Sequence, residues 1–304
     1  MNPLISIIII NWNGWKDTLR CLESLCACSY KNFSVTVLDN GSTDGSFKML
    51  NSRKEGFGFQ VKLLRSKVNT GFTGGCNIAV KKALEGGCGY VFLLNNDAAP
   101  HPDALSHMVE VSKKTGAAIV GARILDMEGK KLIFEGRRWP LLIFGLGKIN
   151  PDREKDFWET DYAEGSALLI RRDAVEGRIK ERGYFLDESF FMYGEETDFC
   201  VYSKRRGHKC MIAAKAKVYH GVAKSSGGHG SLLSYYYITR NRIFLANRWL
   251  SLPWKILFHL YYIPSRLLIQ SPGFLNGKKE IVSAVFRGLS DGYSGINWKW
   301  RRHA

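Results

Sequence analysis

The amino-acid sequence predicts an α/β fold: a mainly parallel central sheet flanked by helices, followed by a helical C-terminal extension. Three observations carry this. Through the first hundred residues, β-rich runs alternate with amphipathic ones. The β-rich runs are apolar without polar alternation, as in strands buried on both faces of a parallel sheet. Each run then stops at polar residues, so several strands deliver polar groups to one edge, where ligands of open α/β sheets gather.

The elements follow in order. ISIIII, residues 5–10, is a buried strand; it is far too short to span a bilayer, and MNPLISIIIINWNG carries neither a basic leader nor a small-residue cleavage site. WKDTLRCLESLCA repeats Leu19, Leu22 and Leu25 at helical spacing. VTVL, GSFKMLNSR, VKLLR, GGCNIAVKKALEGG and YVFLL continue the strand–helix alternation, and the strand ends carry Asn11 and Asn13, Asp39 and Asn40, Asn69, then Asn95, Asn96 and Asp97. Pro100 is expected to stop any further strand.

Beyond lie a helix (PDALSHMVEVSKK), a strand (AAIVGARI), a looping stretch with Trp139, Pro140 and Pro151, and a strand (SALLIRR). A helix is predicted over 195–206, acids in its first turn, Lys204 to Arg206 in its last and Gly207 as cap. A strand ending at His220 follows, then SSGGHGS (225–231) as a flexible linker. This divides the chain into a domain over 1–225, made of one half to about 100 and a second beyond, and an extension over 226–304.

At 304 residues, 45% hydrophobic and 12% aromatic, the chain can bury a large core. Its seven cysteines, without paired metal spacing, read as reduced thiols of a cytosolic protein. The net charge of +16 suits nucleic acid, anionic lipid or phosphorylated substrates, and it is concentrated late: from residue 240 onward the only acids are Glu280 and Asp291. LPWKILFHLYYIPSRLLIQ is apolar but interrupted by Lys255, His259 and Arg266, which fits a helix lying in the headgroup region better than one crossing the bilayer.

Four motifs carry candidate chemistry, and each taken alone also admits a plain structural reading. In VLDNGSTDGS, Asp39 can accept from a pyrimidine ring N–H, while Ser42 or Asp44 caps the next helix. NTGFTGGCN clusters glycines before a helix but is neither G-x-G-x-x-G nor a Walker loop. In LLNNDAAP, Asp97 offers a hard oxygen for Mg²⁺ or Mn²⁺ and Asn95 a partner for a ribose hydroxyl, or the pair Asn96–Asp97 forms a turn. MYGEETDF sets Glu195, Glu196 and Asp198 beside apolar surface, where repulsion and desolvation raise a carboxyl toward a working general base. His220 is a further candidate ligand.

In combination, SIIIINWNG, VTVLDNGSTDGS, NTGFTGGCN, FLLNNDAAP, EGSALLIRR, FLDESFFMYGEETDF, VYH and YYYITRNR resemble a family 2 glycosyltransferase of the GT-A fold, in its rhamnosyltransferase-like branch. The resemblance implies inverting transfer from a nucleoside-diphosphate sugar to a glycan or lipid-linked acceptor in polysaccharide synthesis, with a divalent cation. It implies that Asn11, Trp12, Asn13 and Asp39 hold the nucleobase, and that Asn69, Gly71, Asn77, Asn95 and Asn96 line the nucleotide-sugar pocket. Asp97 matches the last acid of the family's DxD motif, Asn95 standing where its first acid is often found, so the metal would rest on Asp97, the diphosphate and His220. Glu196 takes the place of the base, with Glu195 as alternate; Asp198 serves acceptor positioning or helix structure, and Gly165 the acceptor side.

Two rivals are disfavoured. A nicotinamide-dependent oxidoreductase lacks its glycine fingerprint after the first strand, where NWNGW stands. A nucleic-acid-binding protein would explain the charge, but no reader motif is present and carboxylate clusters repel phosphate.

Overall fold

The computed structural model describes residues 2–221, 231–275 and 279–296. Strands β1 (Ile5–Asn11), β2 (Phe33–Asn40), β3 (Val61–Ser66) and β4 (Tyr90–Leu94) alternate with helices α1 (Trp15–Cys26), α2 (Ser46–Arg53) and α3 (Gly71–Glu85). The four strands are parallel in the order β3-β2-β1-β4. Register sets Asn11 beside Asp39, so both side chains reach the same edge. Leu19, Leu22 and Leu25 are all buried, the face their spacing predicted.

The second half is mixed rather than parallel. It comprises β5 (Ala98–Pro100), α4 (Ala104–Thr115), β6 (Ile119–Leu125), β7 (Leu132–Phe134), β8 (Phe157–Glu159), β9 (Ala167–Arg171), α5 (Arg172–Arg182), α6 (Glu195–Arg205) and β10 (Cys210–His220). The sheet continues β4-β9-β6-β10-β5, with β9 inserted antiparallel to both neighbours. The expectation that Pro100 ends strand structure is overturned. Residues 98–100 form β5, antiparallel to β10, with Pro100 opposite Val218; at a sheet edge the missing proline N–H costs no ladder bond. This pairing sets Ala98 opposite His220. Helix α5 has no counterpart in the sequence reading, because RRDAVEGRIKER carries too few apolar residues to show a face. Helix α6 ends as predicted, with Gly207 left-handed at φ +82°.

Helices α7 (Leu232–Trp249), α8 (Leu252–Leu275) and α9 (Lys279–Tyr293) follow. The linker expected over 225–231 lies outside the described residues except for Ser231, whose hydroxyl caps α7 by accepting from the Ser234 N–H at 3.1 Å. Ile243, Leu245, Trp249, Phe258, Tyr262, Val285 and Leu289 build a second core with Phe190, Val201 and Tyr202 of the preceding domain. Among the described residues, no helix is long and apolar enough to cross a membrane.

A buried ionic hub joins these parts. Asp198 of α6 pairs with Arg178 of α5, and its Oδ1 accepts from Arg248 at 2.9 Å and from the Trp249 indole at 2.7 Å. Arg248 also reaches Asp187 at 2.7 Å. Arg178 and Asp198 are 2% and 1% exposed, so removing one strands the other's charge in the core. Asp198→Ala should therefore lower unfolding free energy by about 3–5 kcal/mol, read as a lower urea midpoint at unchanged slope.

Candidate active site

The end of β4 meets the end of β10. Across the β5–β10 ladder, His220 Nε2 lies 3.1 Å from Asp97 Oδ1 and 3.1 Å from Asn95 Nδ2. Both His220 and Asp97 are buried, their side chains 5% and 4% exposed. Nε2 cannot serve both neighbours alike: it donates to Asp97 when protonated, or accepts from Asn95 when not. Burial works against protonation, but the bond and charge of Asp97, with Glu164 behind, outweigh it and hold the imidazole above its usual value. An imidazole lone pair and a carboxylate oxygen at this spacing share either a proton or a cation. The pair thus fits a hard divalent ion that completes its shell from water and ligand oxygens. Among the described residues, no group of three or more His, Cys, Asp or Glu is placed to hold a metal by itself.

The edge where β1 and β2 end is prearranged by hydrogen bonds among the predicted residues. Asn11 Nδ2 donates to Asp39 Oδ2 at 2.9 Å and to Ser42 Oγ at 3.2 Å, and its Oδ1 accepts from Thr18 at 2.8 Å. Asn96 Nδ2 donates to the same Thr18 hydroxyl at 3.2 Å, tying the end of β1 to the end of β4. Asn13, at φ +50°, accepts from the Thr43 N–H at 2.8 Å, next to the half-buried Trp12. Asp44 accepts from the Ser46 N–H at the start of α2. Asn69 Oδ1 accepts from the Gly71 N–H at 2.8 Å. Gly71, at φ +79°, has no room for a side chain, because a Cβ would fall on the carbonyl and ring of Phe191. Asn77 is turned to structure: its amide brackets Leu186 N–H and C=O, both at 2.8 Å, and reaches Glu188 at 3.0 Å.

The acids of α6 diverge. Glu196 faces a cavity of about 520 Å³, its Oε1 accepting from the Tyr162 hydroxyl at 3.0 Å and its Oε2 from the Gly194 N–H at 3.2 Å. Burial pushes its carboxyl above the usual range, while hydrogen bonds, those from Tyr162 and Gly194 included, pull back. Glu195 is buried at 3%, with Oε2 unpartnered; burial and then the charge of Glu196 hold it well above that range. Asp198 does not line the cavity: of its two expected roles, the buried hub is the one the structure displays. Gly165 passes beside Glu196, whose Cβ would be 3.7 Å from a Cβ added there.

Asn95, Asn96, Asp97, Gly165, Glu195, Glu196 and His220 share this one cavity; Asn11, Trp12, Asn13, Asp39, Asn69, Gly71 and Asn77 lie outside its walls. The lining also includes Arg137, Tyr162, Glu164, Ile238 and Arg242, which the sequence reading missed. Burial raises the Glu164 carboxyl against the pull of His220. Its adjacency to Gly165 in EGSALLIRR was the one available signal. Ile238 and Arg242 come from α7, so the helix assigned to an extension builds part of the wall.

Helix α7 also fixes the loop that leads into α6. Asn241 Nδ2 faces the carbonyls of Phe190 at 3.0 Å, Met192 at 2.8 Å and Tyr193 at 2.6 Å, and Arg240 donates to those of Ser189 at 2.7 Å and Phe190 at 3.0 Å. Phe191 and Tyr193 within this loop hold φ of +62° and +66°, conformations that persist only where surroundings impose them.

A doubly flanked sheet whose strand ends gather a carboxylate–imidazole pair and a poised acid is the architecture of a GT-A glycosyltransferase. Residues 6–178 match the glycosyl transferase family 2 model, and the chain belongs to that family. It is 26% identical over 273 residues to the N-acetylglucosaminyl-diphospho-decaprenol L-rhamnosyltransferase of Mycobacterium tuberculosis, covering 82% of this chain and 86% of that protein. It is 25% identical over 246 residues to the low-salt glycan biosynthesis hexosyltransferase Agl10 of Haloferax volcanii, covering 80% and 75%. The fold matches S. aureus TarS 1-349 in complex with UDP-GlcNAc at a TM-score of 0.63 and 16% identity, over 96% of this chain and 81% of that one. It also matches the Pyrobaculum calidifontis mannosyltransferase PcManGT in complex with GDP-Man and Mn²⁺ at 0.61 and 14%, over 98% and 88%.

Asn241→Ala leaves three loop carbonyls without their shared donor and should cost about 1–3 kcal/mol. Backbone amides of residues 189–194 should then exchange with deuterium faster than in the wild type, while those of β1 and β2 stay protected.

Proposed function

We propose that the protein is an inverting glycosyltransferase of polysaccharide synthesis. Its donor is a dTDP- or UDP-linked sugar, rhamnose by branch resemblance, and its acceptor a hydroxyl of a glycan or lipid-linked oligosaccharide. The carrying observation is that Glu196 and the Asp97–His220 pair line one cavity from different elements, α6 against the β4–β5 turn and β10. A single displacement needs this arrangement, because the base works at the acceptor and the charge-compensating group at the departing diphosphate.

Glu196 takes the acceptor hydroxyl's proton as the oxygen attacks the anomeric carbon. Its raised proton affinity, set by burial and trimmed by hydrogen bonds, brings it nearer the operating pH. Glu195 is the alternate base. A Mg²⁺ or Mn²⁺ ion held by Asp97 and His220 would stabilise negative charge on the leaving nucleoside diphosphate. Asp39, with Asn11, Trp12 and Asn13, meets the nucleobase; Asn69, Gly71, Asn95 and Asn96 line the nucleotide-sugar path, and Asn77 supports it through residues 186–188. Gly165 leaves clearance for the acceptor beside Glu196. On α8, Leu252, Ile256, Leu257 and Leu260 are exposed next to Lys255, which supports peripheral attachment to the cytoplasmic face of the membrane.

In a thermal-shift panel, UDP or dTDP with Mn²⁺ should raise the melting temperature of the wild type, by about 2.7 kcal/mol of stabilisation at a hundredfold excess over Kd, and not that of Asp97→Ala. No shift by either nucleotide, with or without metal, would sink the proposal. Glu196→Gln should keep that shift while kcat falls by about 10²–10⁴-fold. Tyr162→Phe removes a bond that favours ionised Glu196, so the acidic limb of the kcat/KM profile should move to higher pH; a limb that stays put would separate Glu196 from the base.

A further inference from the structure

Glu195 and Glu196 are consecutive, yet both side chains line the one cavity. Among the described residues neither has a cation within 4.0 Å; the arginines nearest in the fold, Arg178 and Arg248, are taken by Asp198 of the same helix. From α3, Cys76 faces the pair, and burial with the charges of both glutamates pushes its thiol well above the usual value. From the loop before β9 come Tyr162 and Glu164, the Tyr162 hydroxyl also held well up by burial and then by Glu196. Arg137, Arg242 and His220 line the same cavity, but none forms an ion pair with either glutamate.

Two buried carboxyl groups side by side without a cation cannot both be ionised. The donors around them determine which one carries the charge. Both oxygens of Glu196 are served, Oε1 by the Tyr162 hydroxyl at 3.0 Å and Oε2 by the Gly194 N–H at 3.2 Å. Glu195 is 3% exposed, and no N–H or O–H reaches its Oε2. The two side chains stand within hydrogen-bonding reach of each other, a contact that closes only with a proton on one of them. A proton on Glu195 makes that bond and leaves both donors of Glu196 in place. A proton on Glu196 would have to displace or reverse one of them.

We propose that Glu195 keeps its proton throughout the reaction and donates it in a hydrogen bond to Glu196, fixing that carboxylate as the base. The inference rests on the glycosyltransferase reading and decides between base and alternate: Glu195 is a positioning residue that acts through Glu196. At rest the pair holds one proton and one negative charge. The proton of the attacking hydroxyl passes to Glu196 as its oxygen bonds the anomeric carbon and the bond to the diphosphate breaks with its electron pair. Glu195 retains its own proton, and the pair returns the second one to solvent after the products leave. A singly charged pair also repels the donor diphosphate less than two carboxylates would.

The first test needs no turnover. Infrared spectra of the full chain at neutral pH should contain the C=O stretch of a neutral buried carboxyl that is lost in Glu195→Gln and kept in Glu164→Gln, which removes the cavity's other raised acid. The second test follows nucleotide release from dTDP-rhamnose and a UDP-hexose with Mn²⁺, water serving as acceptor. Glu195→Leu should lower kcat by about 10–100-fold with KM little changed, the range of a lost bond to a charged group. Its acidic limb should move to higher pH, because the donor that favours ionised Glu196 is gone. Glu195→Gln, whose amide N–H still donates, should lose less and leave that limb nearer the wild type's. A retained thermal shift by UDP or dTDP with Mn²⁺ shows that each variant is folded. A neutral-carboxyl band indifferent to Glu195→Gln, or equal losses in the Gln and Leu variants as for a base, would overturn the proposal. A wild type that neither binds nucleotide nor releases it removes the transferase reading, while the infrared band still reports where the proton sits.

Discussion

Two consecutive side chains of α7, Arg240 and Asn241, hold the carbonyls of Ser189, Phe190, Met192 and Tyr193, and the site is organised around that grip. The loop runs through two left-handed non-glycine residues, each costing on the order of 1–3 kcal/mol, so its path is imposed from outside. Its end is Gly194, from which α6 starts and whose N–H holds Glu196. Its outer side rests on Gly71, and the Phe191 carbonyl accepts from Thr73 of α3 at 3.3 Å. One loop thus couples the acid at the start of α6, the glycine turn at the start of α3 and a helix from the far end of the chain. Displacing α7 would disturb all three at once.

Most of the first half was legible in the sequence because its elements are periodic and local. Uninterrupted apolar runs gave four parallel strands, and Leu19, Leu22 and Leu25 gave the buried face of α1. The polar residues that end each run met at one edge because parallel register aligns strand termini. The second half was less legible for a physical reason: its decisive contacts are antiparallel pairings between distant segments. Nothing in AAP announces that it pairs with VYH, yet that ladder is what carries His220 to Asp97. Helix α5 escaped notice because it offers only Ala174, Val175 and Arg178 to the interior. Tyr162, Glu164, Arg137 and Arg242 lie on loops or among aromatic helix residues, where no period marks them.

The acids of the cavity are gathered at an electrostatic cost. Glu164, Glu195 and Glu196 all bind protons more tightly in the folded chain than a free carboxyl does, burial being the first cause in each. The stability such groups lend is present below the usual carboxylate range and is lost as pH rises through their raised values. Near neutrality the site therefore weakens the fold that carries it. The apolar sheet core and the Arg178–Asp198–Arg248 hub, to which α6 itself contributes Asp198, oppose that strain. The same helix accordingly presents one acid, Glu196, to the cavity and spends another, Asp198, on holding itself in place.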